Sequence, residues 1–503
     1  MLNRREFMEL TASAVMGKAI LPSSAMGSTP AIEGVWVNDI HSQLNRTRVQ
    51  RIVAPESREA LQEVIQKASA NGRAVSVAAG RHAMGGQQFG SDTVLIDASK
   101  LDRVYGLDRE NGKIEVGAGA QWPEIVNSLL REQTGAKEQW GIIQKQTGAD
   151  RLSIGGALAA NGHGRGLKLK PIVGDVTSFT LIDANGEARE CSRTKNSELF
   201  RLAIGGYGLF GIICSVRLRL APRRKLERVV QVTDTEGLAE RFEERIEQGF
   251  LYGDFQYSTD LNSDTGLRKG VFSCYRPVPD RTSVPDNQAV LGEKDWIELL
   301  RLAHTDRARA FDRYSAYYLS TSGQIYWSDT HQMSTYIDDY HKKLSGRIGT
   351  GGKGTEMITE IYVPRHALTD FLEDVRTDFI DNDVNLIYGT IRLIEKDDDT
   401  FLAWAKERFA AVIFNLHVGH SADGLQKAES NFRRLIDRGI QYGGSYFLTY
   451  HKWATRDQIL KCYPQFPEFL RLKSKYDPEL RFQSDWYRHY RDMFSPIDES
   501  GGS

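Results

Sequence analysis

One strand–loop–strand unit constrains the fold more than any other feature. The apolar run Ala74 to Ala78 leads into Ala79-Gly80-Arg81-His82-Ala83-Met84-Gly85-Gly86-Gln87-Gln88-Phe89-Gly90, and a second apolar run, Thr93 to Asp97, leaves it. Clustered glycines reach backbone conformations closed to other residues, so such a loop can turn several N–H groups toward one anion such as a pyrophosphate. The same composition suits an ordinary glycine-rich hairpin, and the loop taken alone does not decide between them. A helix is predicted just upstream, starting near Ser57, with Leu61, Val64, Ile65 and Ala68 on one face and an end at Gly72.

Other glycine patterns compete for the phosphate role. Gly206-Tyr207-Gly208-Leu209-Phe210-Gly211 matches GxGxxG, but a helix (197–204) precedes it and a strand follows, the reverse of a dinucleotide fingerprint. Gly117-Ala118-Gly119 lies between a strand, Lys113 to Gly117, and a helix, Trp122 to Arg131, yet Trp122 occupies the third glycine position. Lys353 stands between Gly352 and Gly354, which is no Walker motif. A Rossmann nicotinamide site is unsupported. The small-residue segment from Leu152 to Gly164 lets backbone approach a ligand closely. Strands are predicted at 175–182 and 211–220, and glycine density falls after Pro222, where a boundary is placed.

Downstream, the periodicity changes. Strand 357–363, a helix carrying Leu368, Phe371, Leu372, Val375 and Phe379, strands 385–393 and 411–418, a helix near 428–440 and strand 445–450 spell β-α-β-β-α-β. That is the split arrangement of an antiparallel sheet with helices on one face.

A chain of 503 residues suggests two to four domains. Its 65 basic and 66 acidic residues leave a formal charge of −1, which argues against a general grip on nucleic acid. Cys191, Cys214, Cys274 and Cys462 form no CxxC pair, so buried thiols are expected and no metal site. Asn3-Arg4-Arg5-Glu6-Phe7-Met8, the weakly apolar 10–21 and the small residues to position 27 read as a twin-arginine export signal, with a soluble amphipathic helix as the alternative. A periplasmic or secreted protein without stable membrane insertion is expected.

The order of segments resembles the vanillyl-alcohol-oxidase type of FAD-linked oxidoreductase, especially the cytokinin dehydrogenase and alditol or aldonolactone oxidase branches. The match runs through Gly80-Arg81-His82, Leu95-Ile96-Asp97, Gly117-Ala118-Gly119, Ser153-Ile154-Gly155-Gly156, Gly162-His163-Gly164, Asn196 to Phe200 and Gly206 to Ile213. The resemblance implies an α+β fold: a two-subdomain FAD-binding domain (45–224), a substrate or cap domain (225–444) with an antiparallel sheet covered by helices, and a C-terminal segment (445–497) returning to the FAD domain. It implies FAD held by Gly80, Arg81, His82, Ala83, Met84, Gly85, Gly86, Gln87, Gly117, Gly155, Gly156, Gly162, His163, Gly211, Ile212 and Ile213. His82 occupies the position that attaches to the flavin in covalent members, although Ala83 stands where serine is frequent.

In such enzymes the protein positions substrate and manages a proton while flavin takes hydride. Alternation puts Tyr388, Thr390 and Arg392 on one face of their strand, Asn415 and His417 on one face of theirs, and Glu360 with Tyr362 on another. For Glu360 and Tyr362 a solvated sheet face is the expectation. Thr390-Ile391-Arg392 resembles the Glu-x-Arg strand of the alditol branch, with threonine replacing the glutamate. Tyr450-His451-Lys452-Trp453 resembles its His-Trp-x-Lys region in altered order. Arg392, His451 and His417 are therefore the catalytic candidates, with a surface histidine the alternative for His451 and a packing role expected for His163. The expected partners are a small organic substrate, oxidised at a C–H next to O or N, and oxygen or an electron carrier. Two rival readings are a nicotinamide-driven flavin reductase and a silent flavin-binding protein.

Overall fold

Parallel pairing of two adjacent short strands decides the nature of the glycine-rich loop. The computed structural model describes residues 34–495 apart from 147, 335–336, 338–339 and 345–351; the arginine pair and apolar stretch read as an export signal lie outside the described residues. Strand β1 (Arg51–Val53), helix α1 (Arg58–Ala70), strand β2 (Val75–Ala78) and strand β3 (Val94–Asp97) form a three-stranded parallel sheet in the order β1-β3-β2. Parallel neighbours need a crossover of a dozen residues or more. Residues 79–93 are that crossover, which excludes the hairpin. Ser57 caps α1 by accepting from the Ala60 N–H at 3.1 Å, and Leu61, Ile65 and Ala68 bury its apolar stripe against Val75, Val94 and Ile96.

A second, antiparallel sheet follows. Its strands are β4 (Val104–Asp108), β5 (Lys113–Gly117), β6 (Val176–Ile182), β7 (Ala188–Ser192) and β8 (Ile212–Arg219), in the order β7-β6-β8-β5-β4. Helices α2 (Trp122–Glu132), α3 (Ile154–Ala160) and α4 (Ser197–Ala203) pack with it. Gly206 to Gly211 is the turn from α4 into β8, and the Tyr207 N–H donates to the Ala159 carbonyl at 3.0 Å.

Beyond Pro222 the chain builds one eight-stranded sheet. In chain order its elements are β9 (Lys225–Asp234), α5 (Leu238–Glu247), β10 (Tyr252–Tyr257), β11 (Lys269–Pro277), α6 (Glu293–Thr305), α7 (Arg307–Ser320), β12 (Ile325–Trp327) and α8 (Tyr340–Leu344). They continue with β13 (Gly354–Pro364), α9 (Leu368–Asp381), β14 (Leu386–Ile394), β15 (Phe409–Gly419), α10 (Ala422–Gln441) and β16 (Ser445–Tyr446). Strand order is β12-β9-β11-β10-β14-β15-β13-β16. The last four strands are the β-α-β-β-α-β unit read from the sequence; the first four extend it from an edge. Phe371 and Phe379 of α9 and Phe432 and Leu435 of α10 are buried over one face of this half. Two boundaries differ most from the reading. Helix α10 begins six residues earlier, because Ser421 caps it at Gly424 N (3.1 Å) and Gly424 packs against Gly419, where a Cβ would stand 2.5 Å from a carbonyl oxygen. Strand β16 stops at Tyr446, and the following residues cross toward the glycine-rich loop.

The C-terminal helices α11 (Arg456–Cys462), α12 (Phe466–Tyr476) and α13 (Asp485–Phe494) return to the first sheet. The Val75 N–H donates to Arg481 O at 2.7 Å, the Ser91 N–H to Asp485 Oδ1 at 2.9 Å, and the Asp485 N–H to Phe89 O at 2.7 Å. All four cysteines are buried and free, and no helix among the described residues is long and apolar enough to cross a membrane.

Candidate active site

The crossover loop carries a row of unused donors. Met84 to Gly90 are buried, yet among the described residues the N–H groups of Ala83, Met84, Gly85, Gly86 and Gln87 donate to no protein acceptor. Buried N–H groups require partners, and five in succession suit the oxygens of a diphosphate. Neighbouring segments hold the loop's shape. Asn45 Nδ2 donates to Met84 O at 2.6 Å, and Gln87 Nε2 donates to the Thr449 carbonyl at 2.7 Å. A Cβ on Gly86 would stand 3.8 Å from Lys452 Nζ, which places a cation beside the same donors. His82 is enclosed at the head of the loop, its Nδ1 2.8 Å from His41 Nε2. Burial, then the neighbouring His41, drive its pKa down to about 3, so the ring is a neutral, nucleophilic imidazole.

The other predicted cofactor glycines divide by what a side chain would meet. A Cβ on Gly117 would lie 2.0 Å from Leu101 O, on Gly155 2.9 Å from Ala118 Cβ, on Gly162 2.4 Å from Gln146 Nε2 and on Gly211 2.4 Å from Leu181 Cδ2. These four are required by the chain's own packing. At Gly156 a Cβ would meet only Ser153 Oγ, at 3.0 Å, and its other side is open. Ile212 and Ile213 are buried strand residues of β8.

The cap presents its polar face to this half, and that face is not solvated as expected. Glu360 is 4% exposed and Tyr362 is fully buried. The Glu360 carboxylate accepts from Tyr450 Oη at 2.6 Å and Tyr362 Oη at 2.9 Å, and lies 2.8 Å from His163 Nε2. His163 Nδ1 faces the Gly164 carbonyl at 3.0 Å; a carbonyl only accepts, so Nδ1 carries hydrogen. Burial raises the carboxyl, but His163, the Tyr450 hydrogen bond and Arg392 outweigh it and hold Glu360 below the usual range. His163, expected beside the cofactor in a packing role, thus joins the two halves through its contact with Glu360. Tyr450, half-buried, has its hydroxyl pushed well up by burial and by Glu360, so it stays protonated and donates.

Around Arg392 the same face gathers polar atoms that nothing satisfies. Phe255 pairs with Ile391 antiparallel, so Asp254 neighbours Arg392 and Gln256 neighbours Thr390; Ser273 pairs with Asp254, and Asn415 with Tyr388. Thr390 Oγ1, Arg392 Nε, Gln256 Oε1, Asp254 Oδ1, Ser273 Oγ and Asn415 Oδ1 are buried without hydrogen-bond partners among the described residues. Arg165 lies partly buried beside them, 3.6 Å from Asp254.

Two predicted catalytic residues are not brought to this place. His417 shares the face but pairs with Glu356, while Arg392 pairs with Ala411, six residues and about 20 Å along β15. His451 is neither at the surface nor beside Arg392. It packs behind the sheet against Phe432, Tyr446 and Trp453, with Nε2 3.4 Å from Thr359, a residue of opposite facing to Glu360. Its backbone, not its ring, approaches the glycine-rich loop near Gly85.

Comparison with known proteins accords with this geometry. Residues 49–192 match the FAD binding domain model. The chain is 29% identical over 198 residues to an uncharacterized oxidoreductase in the fasciation locus of Rhodococcoides fascians, covering 38% of this chain and 43% of that one. It is 25% identical to L-gulono-1,4-lactone dehydrogenase of Mycobacterium tuberculosis over 87% of this chain and 95% of that one. It is 29% identical to cytokinin dehydrogenase 2 of Arabidopsis thaliana over 34% of each. The chain is an FAD-dependent oxidoreductase whose matches support the vanillyl-alcohol-oxidase type. The N–H row with Lys452 has the donors and charge that would hold the diphosphate of FAD, and His82 stands at the entrance of the same loop. Sequence reasoning missed His41, Asp254 and Gln256, and it set Glu360 aside although the alternation had placed it correctly.

Proposed function

We propose that this flavoprotein is exported and oxidises a small polyhydroxylated substrate, an alditol or an aldonolactone, at a carbon bearing a hydroxyl group. The observation that carries the reading is the band of six unpartnered buried polar atoms around Arg392. Buried donors and acceptors without partners cost free energy. A substrate with several hydroxyls satisfies them together, whereas an apolar amine leaves them unmet. The relatives named for gulonolactone support the same substrate class, and the paired Arg4 and Arg5 support export.

FAD, when bound, would supply the two-electron acceptor, and oxygen or an electron carrier would be its oxidant. Arg392 and Arg165 orient the substrate and balance negative charge developing in the site. The substrate hydroxyl gives its proton to Tyr450 Oη as Tyr450 passes its own to Glu360, so Glu360 is the terminal acceptor and His163 holds it in place. Substrate C–H and O–H bonds break, a carbonyl forms, and hydride and proton leave separately. His82, kept neutral, is suited to covalent attachment of the flavin.

The test is anaerobic mixing of the purified yellow protein with alditols, aldonolactones, amines and NADPH. Alditols or lactones should bleach the flavin, and Arg392→Ala should slow bleaching by about 10²–10³-fold. Bleaching by NADPH or amines alone overturns the reading. An acid-denatured pellet that stays yellow identifies the covalent link.

A further inference from the structure

At the far end of the polar face, His304, Glu356 and His417 converge. His304 closes α6, Glu356 opens β13 and His417 ends β15, so three distant segments supply one ligand atom each, all within 4.8 Å of one another. His304 Nε2 and His417 Nδ1 lie 3.1 and 3.2 Å from the same oxygen, Glu356 Oε1. The His304 and Glu356 side chains are 2% and 3% exposed.

The contact at His304 is not a hydrogen bond. Despite the short distance, Nε2 is buried and finds no acceptor in hydrogen-bonding geometry. A ring nitrogen held at ligand spacing but misaligned for donation is what results when donor atoms aim at a common point between them. Zinc binds imidazole nitrogen and carboxylate oxygen at about 2.0–2.2 Å, which puts tetrahedral ligands about 3.3 Å apart. The two edges at Glu356 Oε1, 3.1 and 3.2 Å, are close to that spacing. The Tyr340 hydroxyl donates to the other carboxylate oxygen, Oε2, and so fixes the ligand's orientation. His417 also lines a cleft of about 330 Å³.

We propose that His304, Glu356 and His417 form a binding site for a divalent transition-metal ion of zinc type, separate from the flavin site. Its set of two histidines and one carboxylate is that of open zinc centres. His304 lies on α6 and the other two ligands on β13 and β15, so the ion braces α6 to the end of the sheet.

The experiment uses the full-length flavin-loaded protein, stripped with a chelator and then given zinc or cobalt(II). Expected are about one zinc per chain after gel filtration, a thermal midpoint raised by several degrees and lowered again by chelator, and tetrahedral cobalt absorption at wavelengths beyond the flavin bands. His304→Ala with His417→Ala should keep the flavin spectrum and lose both metal signals. Zinc retention equal in wild type and the double variant, or no retention in wild type, overturns the proposal. Should the variant lose its flavin, X-ray absorption of zinc-loaded wild type decides: a first shell with two imidazoles supports the site, and one without imidazole refutes it.

Discussion

Glu360 shows how one residue acquires its role from what covers it. In β13 it alternates onto the polar face, a placement any reader of the sequence can make. Its burial comes from Gly162-His163-Gly164, about two hundred positions away, and from Tyr450 beyond the last strand. No local pattern encodes that meeting, which is why a solvated face was the natural expectation. The same holds for Asp254 and Gln256, which reach Arg392 only through the β10–β14 pairing. Glu360→Gln keeps the shape but cannot take the proton, and its amide meets donors from both tyrosines. Flavin reduction should slow by about 10²–10⁴-fold, with flavin content retained. Stopped-flow bleaching under nitrogen measures it, and an unchanged rate removes Glu360 from the proton path.

At the scale of elements, periodicity was readable wherever one side of a strand or helix is apolar. The unit from β13 to α10 follows from it, as does α1 with its Ser57 cap. Its failures have local causes: Gly424 hides the first turn of α10, and nothing in 225–327 announces that four more strands join the same sheet. The glycines of the flavin half look alike in sequence but differ in cause. Gly155→Ala forces a Cβ to within 2.9 Å of Ala118 Cβ, an overpacking that costs about 1–3 kcal/mol. Gly156→Ala meets only the Ser153 hydroxyl, at 3.0 Å, which can shift, and alanine gains about 0.5–1 kcal/mol over glycine in a helix. The first variant should therefore melt earlier. The second should melt no earlier in its flavin-free form yet carry less flavin. Calorimetry paired with the flavin-to-protein absorbance ratio separates them, and equal losses in both variants would deny the distinction.

For the whole molecule, the two halves and the returning C-terminus depend on one another through buried polar contacts, and these set its acid response. His451 lies between the cap sheet and α10, where burial alone drives its pKa from 6.5 to about 3. The unfolded chain binds a proton there below pH 6.5 while the folded chain refuses it until about pH 3. Stability therefore falls as pH drops through that window and is independent of this group above it. One proton corresponds to a slope of about 1.4 kcal/mol per pH unit. Glu360, whose folded pKa is lowered, adds a loss in the same direction at the acid end, as pH falls below the ordinary carboxylate range. His451→Phe keeps the aromatic stack with Phe432 and Trp453 and removes only the titration. Denaturant unfolding of the variant should show a shallower stability slope between pH 6 and pH 4 than the wild type, with the two curves parallel above pH 7. Identical slopes at acid pH would mean that the proton uptake driving acid unfolding occurs elsewhere in the chain, with His82 the next group to replace.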